Sequence, residues 1–423
     1  MNIIDIIVKK KNKQELTEEE IQFFIKEYVK GHIAEYQMSS LLMAICIQGM
    51  TEKETLALTD AMLKSGQRLS LDSIAGTKVD KHSTGGIGDK TTLILAPLVA
   101  SLGVPFAKMS GRGLGITGGT IDKLESVEGF ETCIEEKDFI DQVKNIGVAL
   151  ASQTGNLVPA DKKIYALRDV TGTVESMPLI ASSIMSKKLA SGADKFVLDV
   201  KVGEGALMKT LEDARKLAHL MIQMGHHYGK EVVCFLTRMG EPLGNAVGNG
   251  LEVKEALALL QNEGPNDLRE LVTELATYMV SIGKNIEMAK ARKQVKEALR
   301  NGSAYQKMLE LVVAQKGNLN HICISSSYKR IYSSKRGYIS HIQTDLLGQL
   351  VHDLGAGRNK EGDSIDYGVG VVLNKKAGDR IEIGEELLTV YYTHSFLEDR
   401  FLQCFKIEEN CPDLEPLIYE IVR

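Results

Sequence analysis

The stretch VDKHSTGGIGDKTTL, Val79 to Leu93, sets Lys81, His82, Ser83, Lys90 and Thr92 around Gly85, Gly86 and Gly88. Glycines let main-chain N–H groups converge on an anion, while lysine and hydroxyl side chains add charge and donors, so this is the composition of a phosphate cradle. A nucleoside-triphosphate loop needs glycine followed directly by lysine, and Asp89 separates Gly88 from Lys90 here. The plain alternative is a Gly-rich strand-to-helix turn with no ligand. A second loop, KMSGRGLGITGGTIDKLES from Lys108 to Ser126, holds Gly113, Gly115 and Gly118 at the dinucleotide spacing GxGxxG. Yet no acidic residue closes a strand about twenty positions on. Two hydroxyl-rich glycine loops so close together suggest one oxyanion gripped from two sides. A third cluster lies in DKKIYALRDVTGTVESMPLIASSIMSKK, where Ser183 and Lys187 share a helical face and Arg168 precedes them. The alternative for its lysines is a solvated helix end favoured by the dipole.

Elements must position these groups. The 423 residues allow two or three domains, and 43% apolar with 25% charged residues is ordinary for a globular chain. A formal charge of −5 gives no basic footprint, so a nucleic-acid partner is not expected. Cys46, Cys133, Cys234, Cys323, Cys404 and Cys411 form no CxxC pair and read as reduced thiols. The N-terminal apolar run precedes its lysines, the reverse of a signal peptide, and no run reaches membrane-spanning length. No membrane partner and a cytoplasmic location are therefore expected.

The first 66 residues read as helices, with capping boxes at Thr17/Glu20 and Thr51/Glu54. Between them YQMSSLLMAICIQGM, apolar almost all round, predicts a buried helix. From Val79 the short apolar runs TLILAPLVASLG, VPFAKM, KFVLDVKVG and EVVCFLTRMG read as strands alternating with helices. Ser176 is placed to cap a further helix with Pro178 in its first turn, and helices continue to about residue 315. Beyond Ser325 the alternation around Gly378-Asp379 and Gly384-Glu385 reads as a small β-rich domain.

SGRGLGITGGTIDKLES resembles the signature of the thymidine and pyrimidine-nucleoside phosphorylases, and DKHSTGGIGDKTTL resembles their phosphate loop. LRDVTGTVESMPLIASSIMSKKLASGADKFVLDVKVG, PLGNAVGNGLEVKEAL and LGAGRNKEGDSIDYGVGVVLNKKAGDRIEIGE continue the likeness through most of the chain. The resemblance implies an α/β protein with a separate all-helical domain: residues 1–66, completed by about 163–192, face a mixed-sheet phosphate-binding domain, 67–162 and 193–325, across a cleft. A C-terminal α+β domain, 326–423, completes a subunit expected to form a homodimer. It further implies reversible phosphorolysis, inorganic phosphate displacing a pyrimidine from a nucleoside to leave the pentose 1-phosphate.

Carried over by position, the phosphate would lie among Lys81, His82, Ser83, Thr92, Lys108, Met109, Ser110 and Thr120. Tyr165, Arg168, Ser183 and Lys187 would hold the nucleoside, with His82, Arg168 and Lys187 as the catalytic groups. Potassium would sit on oxygens of Gly88, Lys90, Leu243, Ala246 and Glu255. Cations directed at the pyrimidine favour the charge that develops there, phosphate itself attacks, and inversion at the anomeric carbon follows. His82, titrating near neutrality, is expected to donate a hydrogen bond or proton to the leaving base. Lys108, just before Ser110, could reach a ribose hydroxyl, which predicts that uridine is accepted; it could equally grip phosphate.

Two departures stand out: Ile116 occupies the place of a histidine common in relatives, and Lys90 that of a smaller residue. Because the expected cation ligand at Lys90 is its main-chain oxygen, the site could survive there, or the added charge could weaken it or substitute for the ion. Among rivals, a thymidine phosphorylase would be restricted to deoxynucleosides. An anthranilate phosphoribosyltransferase needs magnesium and acidic pyrophosphate-binding positions not evident here, and a biotinyl or lipoyl carrier needs an attachment motif that the tail lacks. A catalytically inactive binding protein is disfavoured because every expected base and phosphate residue is present.

Overall fold

The structure is a computed structural model and describes residues 1–113, 118–153, 156–360 and 362–423. Helices α1 (Ile3–Lys11), α2 (Glu18–Val29), α3 (Glu35–Gln48) and α4 (Glu52–Leu63) open the chain. Both capping boxes form, Thr17 with Glu20 and Thr51 with Glu54. Glu54 also accepts from Lys10 Nζ at 2.8 Å, so the start of α4 ties down α1. Helix α3 is buried on one side only: Met38, Leu41 and Ile45 are in the core, whereas Tyr36 and Ile47 are 76% and 71% exposed. The expectation of burial all round is corrected, because the neighbouring helices cover just one face.

The α/β part follows with β1 (Val79–Ser83), α5 (Thr91–Ser101), β2 (Phe106–Ser110), α6 (Thr120–Glu125), α7 (Glu136–Ile146) and β3 (Val148–Ser152). TLILAPLVASLG, read as a strand, is helix α5. It is buried all round, and a helix with no polar face leaves no periodicity to distinguish it from a buried strand. Next, α8 (Pro159–Asp169) and α9 (Met177–Ala190) return to the N-terminal bundle, α9 packing on α4 and α8 on α2. Ser176 stands at the α9 N-cap, but its Oγ makes no capping bond and is buried without a partner.

Then come β4 (Lys195–Val202), α10 (Leu211–His227), β5 (Glu231–Arg238), β6 (Ala246–Val247) and the helices α11 (Asn249–Leu260), α12 (Asn266–Lys284), α13 (Met288–Arg300) and α14 (Ser303–Ala314). The last part holds β7 (Tyr328–Tyr332), β8 (Gly337–Ile342), α15 (Thr344–Val351), β9 (Gly370–Leu373), β10 (Arg380–Ile381), β11 (Glu386–Tyr391), α16 (Glu398–Gln403), β12 (Phe405–Glu408) and β13 (Ile418–Val422).

The central sheet runs β1-β4-β5-β13, its first three strands parallel. Strand β4 is buried on both faces: Phe196, Leu198 and Val200 join the core shared with the helical bundle, while the opposite face sets Val197 in the core beneath α5 and α12 and carries the buried charges Asp199 and Lys201. Strands β2 and β3 pair in parallel beside it. The C-terminal part forms two antiparallel sheets, β6-β9-β11-β7 and β10-β8-β12. The chain end does not stay there, since β13 pairs antiparallel with β5 in the central sheet.

Candidate active site

Ser83 ends β1 and Ser110 ends β2; Thr92 lies in the first turn of α5 and Thr120 begins α6. The four hydroxyls thus belong to two strand–loop–helix units whose loops leave the carboxyl ends of parallel strands, where open α/β sheets place ligands. Lys108 Nζ donates to the main-chain oxygen of Lys81 at 2.5 Å, which fixes β2 against β1. Met109 is buried in the core, so only its main chain is on offer to a ligand. Gly88 turns the first loop at φ +75°, and a Cβ there would lie 2.8 Å from the Leu243 carbonyl oxygen, so glycine is required twice over. The loop's far end is pinned by Lys123, which donates to the Asp89 carbonyl oxygen at 2.7 Å and pairs with Glu252 at 2.7 Å. Gly115 and Ile116 of the second loop lie outside the described residues.

Beneath the loops is a layer of buried charge. The Lys81 side chain is fully buried, donates to Thr91 Oγ1 at 2.5 Å and lies 3.8 Å from Asp89 and 3.6 Å from Asp199. Asp199 is held in turn by Lys201 at 2.8 Å and by Thr237 Oγ1 at 2.6 Å. One residue earlier in β1, Asp80 binds Lys188 at 2.6 Å and Lys108 at 3.4 Å, joining α9 to the strand. Burial pulls Lys108 down to about 7 against the pull of Asp80, with Lys188 and Lys81 adding to the fall. The Lys108 ammonium is therefore directed under β1 in this arrangement.

His82 is half-buried above this layer. Burial, then the positive charges of Lys188, Lys108, Lys187 and Lys81, hold its imidazole well below the usual histidine range. The neighbour of Lys187 in α9, Lys188, ties that helix to β1 through Asp80 at 2.6 Å. His82 thus differs from the expectation of a histidine titrating near neutrality: burial first, and then the surrounding lysines, favour the neutral ring.

On the helical side, Lys187 Nζ donates to Ser183 Oγ at 3.1 Å, pairs with Asp161 at 2.8 Å and lies 5.3 Å from the Tyr165 ring centre. Arg168 is 2% exposed and donates to the main-chain oxygens of Thr173, Val174 and Leu179 at 3.1, 2.6 and 3.1 Å. It therefore stitches α8 to the turn and the start of α9 while its guanidinium lies beside Tyr165, at 6.0 Å.

Potassium was expected on five oxygen donors. The Leu243 and Ala246 carbonyl oxygens and Glu255 Oε2 do converge, but on Lys90 Nζ, at 2.8, 2.8 and 2.5 Å. The chain's own ammonium fills the donor set, so these residues do not fit a second cation.

Sequence reading missed Asp80, Asp161, Lys188, Asp199, Lys201, Lys123 and Glu252. One signal was available: Asp199 and Lys201 interrupt an otherwise apolar strand at a spacing of two, and buried charges at that spacing must pair.

Three family descriptions match the chain in order. Glycosyl transferase family, helical bundle domain, matches residues 4–66; glycosyl transferase family, a/b domain, matches 75–305; and pyrimidine nucleoside phosphorylase C-terminal domain matches 338–406. The pyrimidine-nucleoside phosphorylase of Staphylococcus epidermidis is 52% identical over 406 residues, 94% of each chain. The chain belongs to this family. The pyrimidine-nucleoside phosphorylase of Staphylococcus haemolyticus is 51% identical over the same share. Anthranilate phosphoribosyltransferase from Thermus thermophilus has the same fold, with TM-score 0.59 at 18% identity over 74% of this chain and all of that one. The membership makes the protein a glycosyl transferase of the pentosyltransferase kind. Among the described residues no helix is long and apolar enough to cross a membrane.

Proposed function

We propose that the protein catalyses the reversible phosphorolysis of pyrimidine nucleosides, uridine, thymidine and deoxyuridine, to the free base and the (deoxy)ribose 1-phosphate. The observation that carries the reading is the pair of glycine–hydroxyl loops at the ends of the parallel strands β1 and β2, set over Lys81, with α9, the helix of Lys187, tied to β1 by the Lys188–Asp80 pair. Phosphate is held by Ser83, Thr92, Ser110 and Thr120 with Lys81 beneath, and by the main chain around His82 and Met109. Lys187 and Ser183 meet the pyrimidine. Arg168, anchored to three carbonyl oxygens, presents its remaining N–H groups toward the same base beside Tyr165. Phosphate attacks the anomeric carbon as the glycosidic bond breaks, and Lys187 with Arg168 stabilises the charge on the departing base.

His82 donates a hydrogen bond to that base as a neutral ring. It becomes a proton donor only where a phosphate dianion offsets the four lysines, since a neighbouring anion raises the imidazole's affinity for a proton. An acid acts while protonated, so kcat falls as pH rises through the His82 value in the complex. His82→Ala is expected to lower kcat by about 10²-fold and to remove that alkaline limb. Near-normal turnover of the variant across pH would end the donor role.

The substrate range is tested by following base release from uridine, thymidine and deoxyuridine with and without inorganic phosphate. The expected result is phosphate-dependent cleavage of all three, as the relatives' printed name covers pyrimidine nucleosides generally. Cleavage confined to deoxynucleosides would give the thymidine phosphorylase reading instead. Lys108 reaches a ribose hydroxyl by exchanging its bonds to Asp80 and the Lys81 carbonyl oxygen. Lys108→Met should accordingly lower the uridine-to-thymidine rate ratio, and an unchanged ratio counts against that role.

Two copies pair through the uncovered apolar face of the bundle, where Ile4 and Val8 of α1 and Tyr36, Met43 and Ile47 of α3 are exposed at helical spacing. Sedimentation at the 46.4 kDa of one chain would contradict the dimer. Six unpaired cysteines support a cytoplasmic setting.

A further inference from the structure

Lys90 precedes α5 as its N-cap residue, two positions before Thr92, with its side chain fully buried. An ammonium has three protons, and here each has one acceptor: the Leu243 carbonyl oxygen at 2.8 Å, the Ala246 carbonyl oxygen at 2.8 Å and Glu255 Oε2 at 2.5 Å. The acceptors are themselves organised. Glu255 Oε1 takes the N–H groups of Asn245 and Ala246 at 2.9 and 3.1 Å, and Leu243 N–H donates to the Ile87 carbonyl oxygen at 3.1 Å. One charge on a tether thus holds the turn 243–246, helix α11 and the loop carrying Gly88 in a single register. The oxygens around Nζ, two carbonyls and one carboxylate, are hard donors at distances that suit a monovalent cation of ammonium size.

We propose that Lys90 is a built-in monovalent cation that positions the phosphate loop, so that this protein needs no added potassium, and that shortening the side chain uncovers a potassium or ammonium site. Lys90 touches neither phosphate nor base and acts through the loop. The activity half of this inference rests on the phosphorolysis reading; the stability half does not.

The test compares the wild type with Lys90→Ser in chloride salts of tetramethylammonium, sodium, potassium and ammonium at constant ionic strength. Uridine phosphorolysis and thermal unfolding without substrates are both followed. For the wild type, rates and melting temperatures are expected to agree within about twofold and about 1 °C across the salts. For Lys90→Ser, tetramethylammonium should raise the phosphate KM about tenfold or more with a smaller change in kcat. Potassium and ammonium should recover most of that loss, and sodium less of it. Its melting temperature should rise with potassium concentration, whereas that of Lys90→Met, whose apolar chain fills the same space, should not. Potassium activation of the wild type overturns the inference, as does a Lys90→Ser variant that neither loses phosphate affinity nor responds to any cation. Should Lys90→Ser not fold in tetramethylammonium, folding rescued by potassium supports the inference, and failure in all four salts overturns it. If the wild type cleaves no nucleoside in any salt, the phosphorolysis reading fails, and the melting temperatures alone decide the role of Lys90.

Discussion

Lys187→Ala is expected to lower kcat for uridine by about 10²–10³-fold, the loss that follows when a charge aimed at a developing anion is removed. The effect falls on kcat more than on KM, because the base carries its negative charge only as it departs. Lys187 also pairs with Asp161, which is 2% exposed and has one carboxylate oxygen without a hydrogen bond. Removing the lysine leaves that carboxylate uncompensated, so the melting temperature falls as well. The two effects separate in the double variant Lys187→Ala/Asp161→Asn, where stability returns and turnover does not. Turnover of Lys187→Ala within about tenfold of wild type would refute the charge-stabilising role.

Lys81→Met is expected to reduce kcat/KM for phosphate by about 10²–10³-fold. Its ammonium is the charge beneath the first loop, and it orders that loop through Thr91 Oγ1 at 2.5 Å. Stability falls too, by about 3 kcal/mol or less, the low end of the cost of breaking a buried pair. The cost is limited because Asp199 keeps Lys201 at 2.8 Å and Thr237 at 2.6 Å. Phosphate protection against thermal unfolding gives the direct readout: the wild type should gain melting temperature with phosphate and Lys81→Met should not. Equal protection of both would mean that Lys81 serves only the packing of β1 and β4.

Much of this arrangement was legible because it is local. Capping boxes at Thr17 and Thr51, the glycine turn at Gly88 and the hydroxyls at Ser83, Thr92, Ser110 and Thr120 depend on neighbours a few residues away. Helix α5 was misread because it is buried on every side, which leaves an apolar run with no polar stripe to set its period. Asp80 with Lys108 and Lys188, or Lys90 with Leu243, Ala246 and Glu255, join residues from 28 to 165 positions apart, and no spacing rule reaches that far. Arg168 shows a subtler limit: it stood out as a candidate residue, but its use as the clamp that binds α8 to α9 was not legible.

The central claim is that phosphate, held between the two loops, is the nucleophile that releases the base. Phosphorus NMR of the enzyme with uridine and inorganic phosphate tests it most directly. The account predicts a ribose 1-phosphate resonance, in the inverted configuration at the anomeric carbon, growing in step with the uracil released. Uracil release with no sugar phosphate formed, or at the same rate without phosphate, would contradict it.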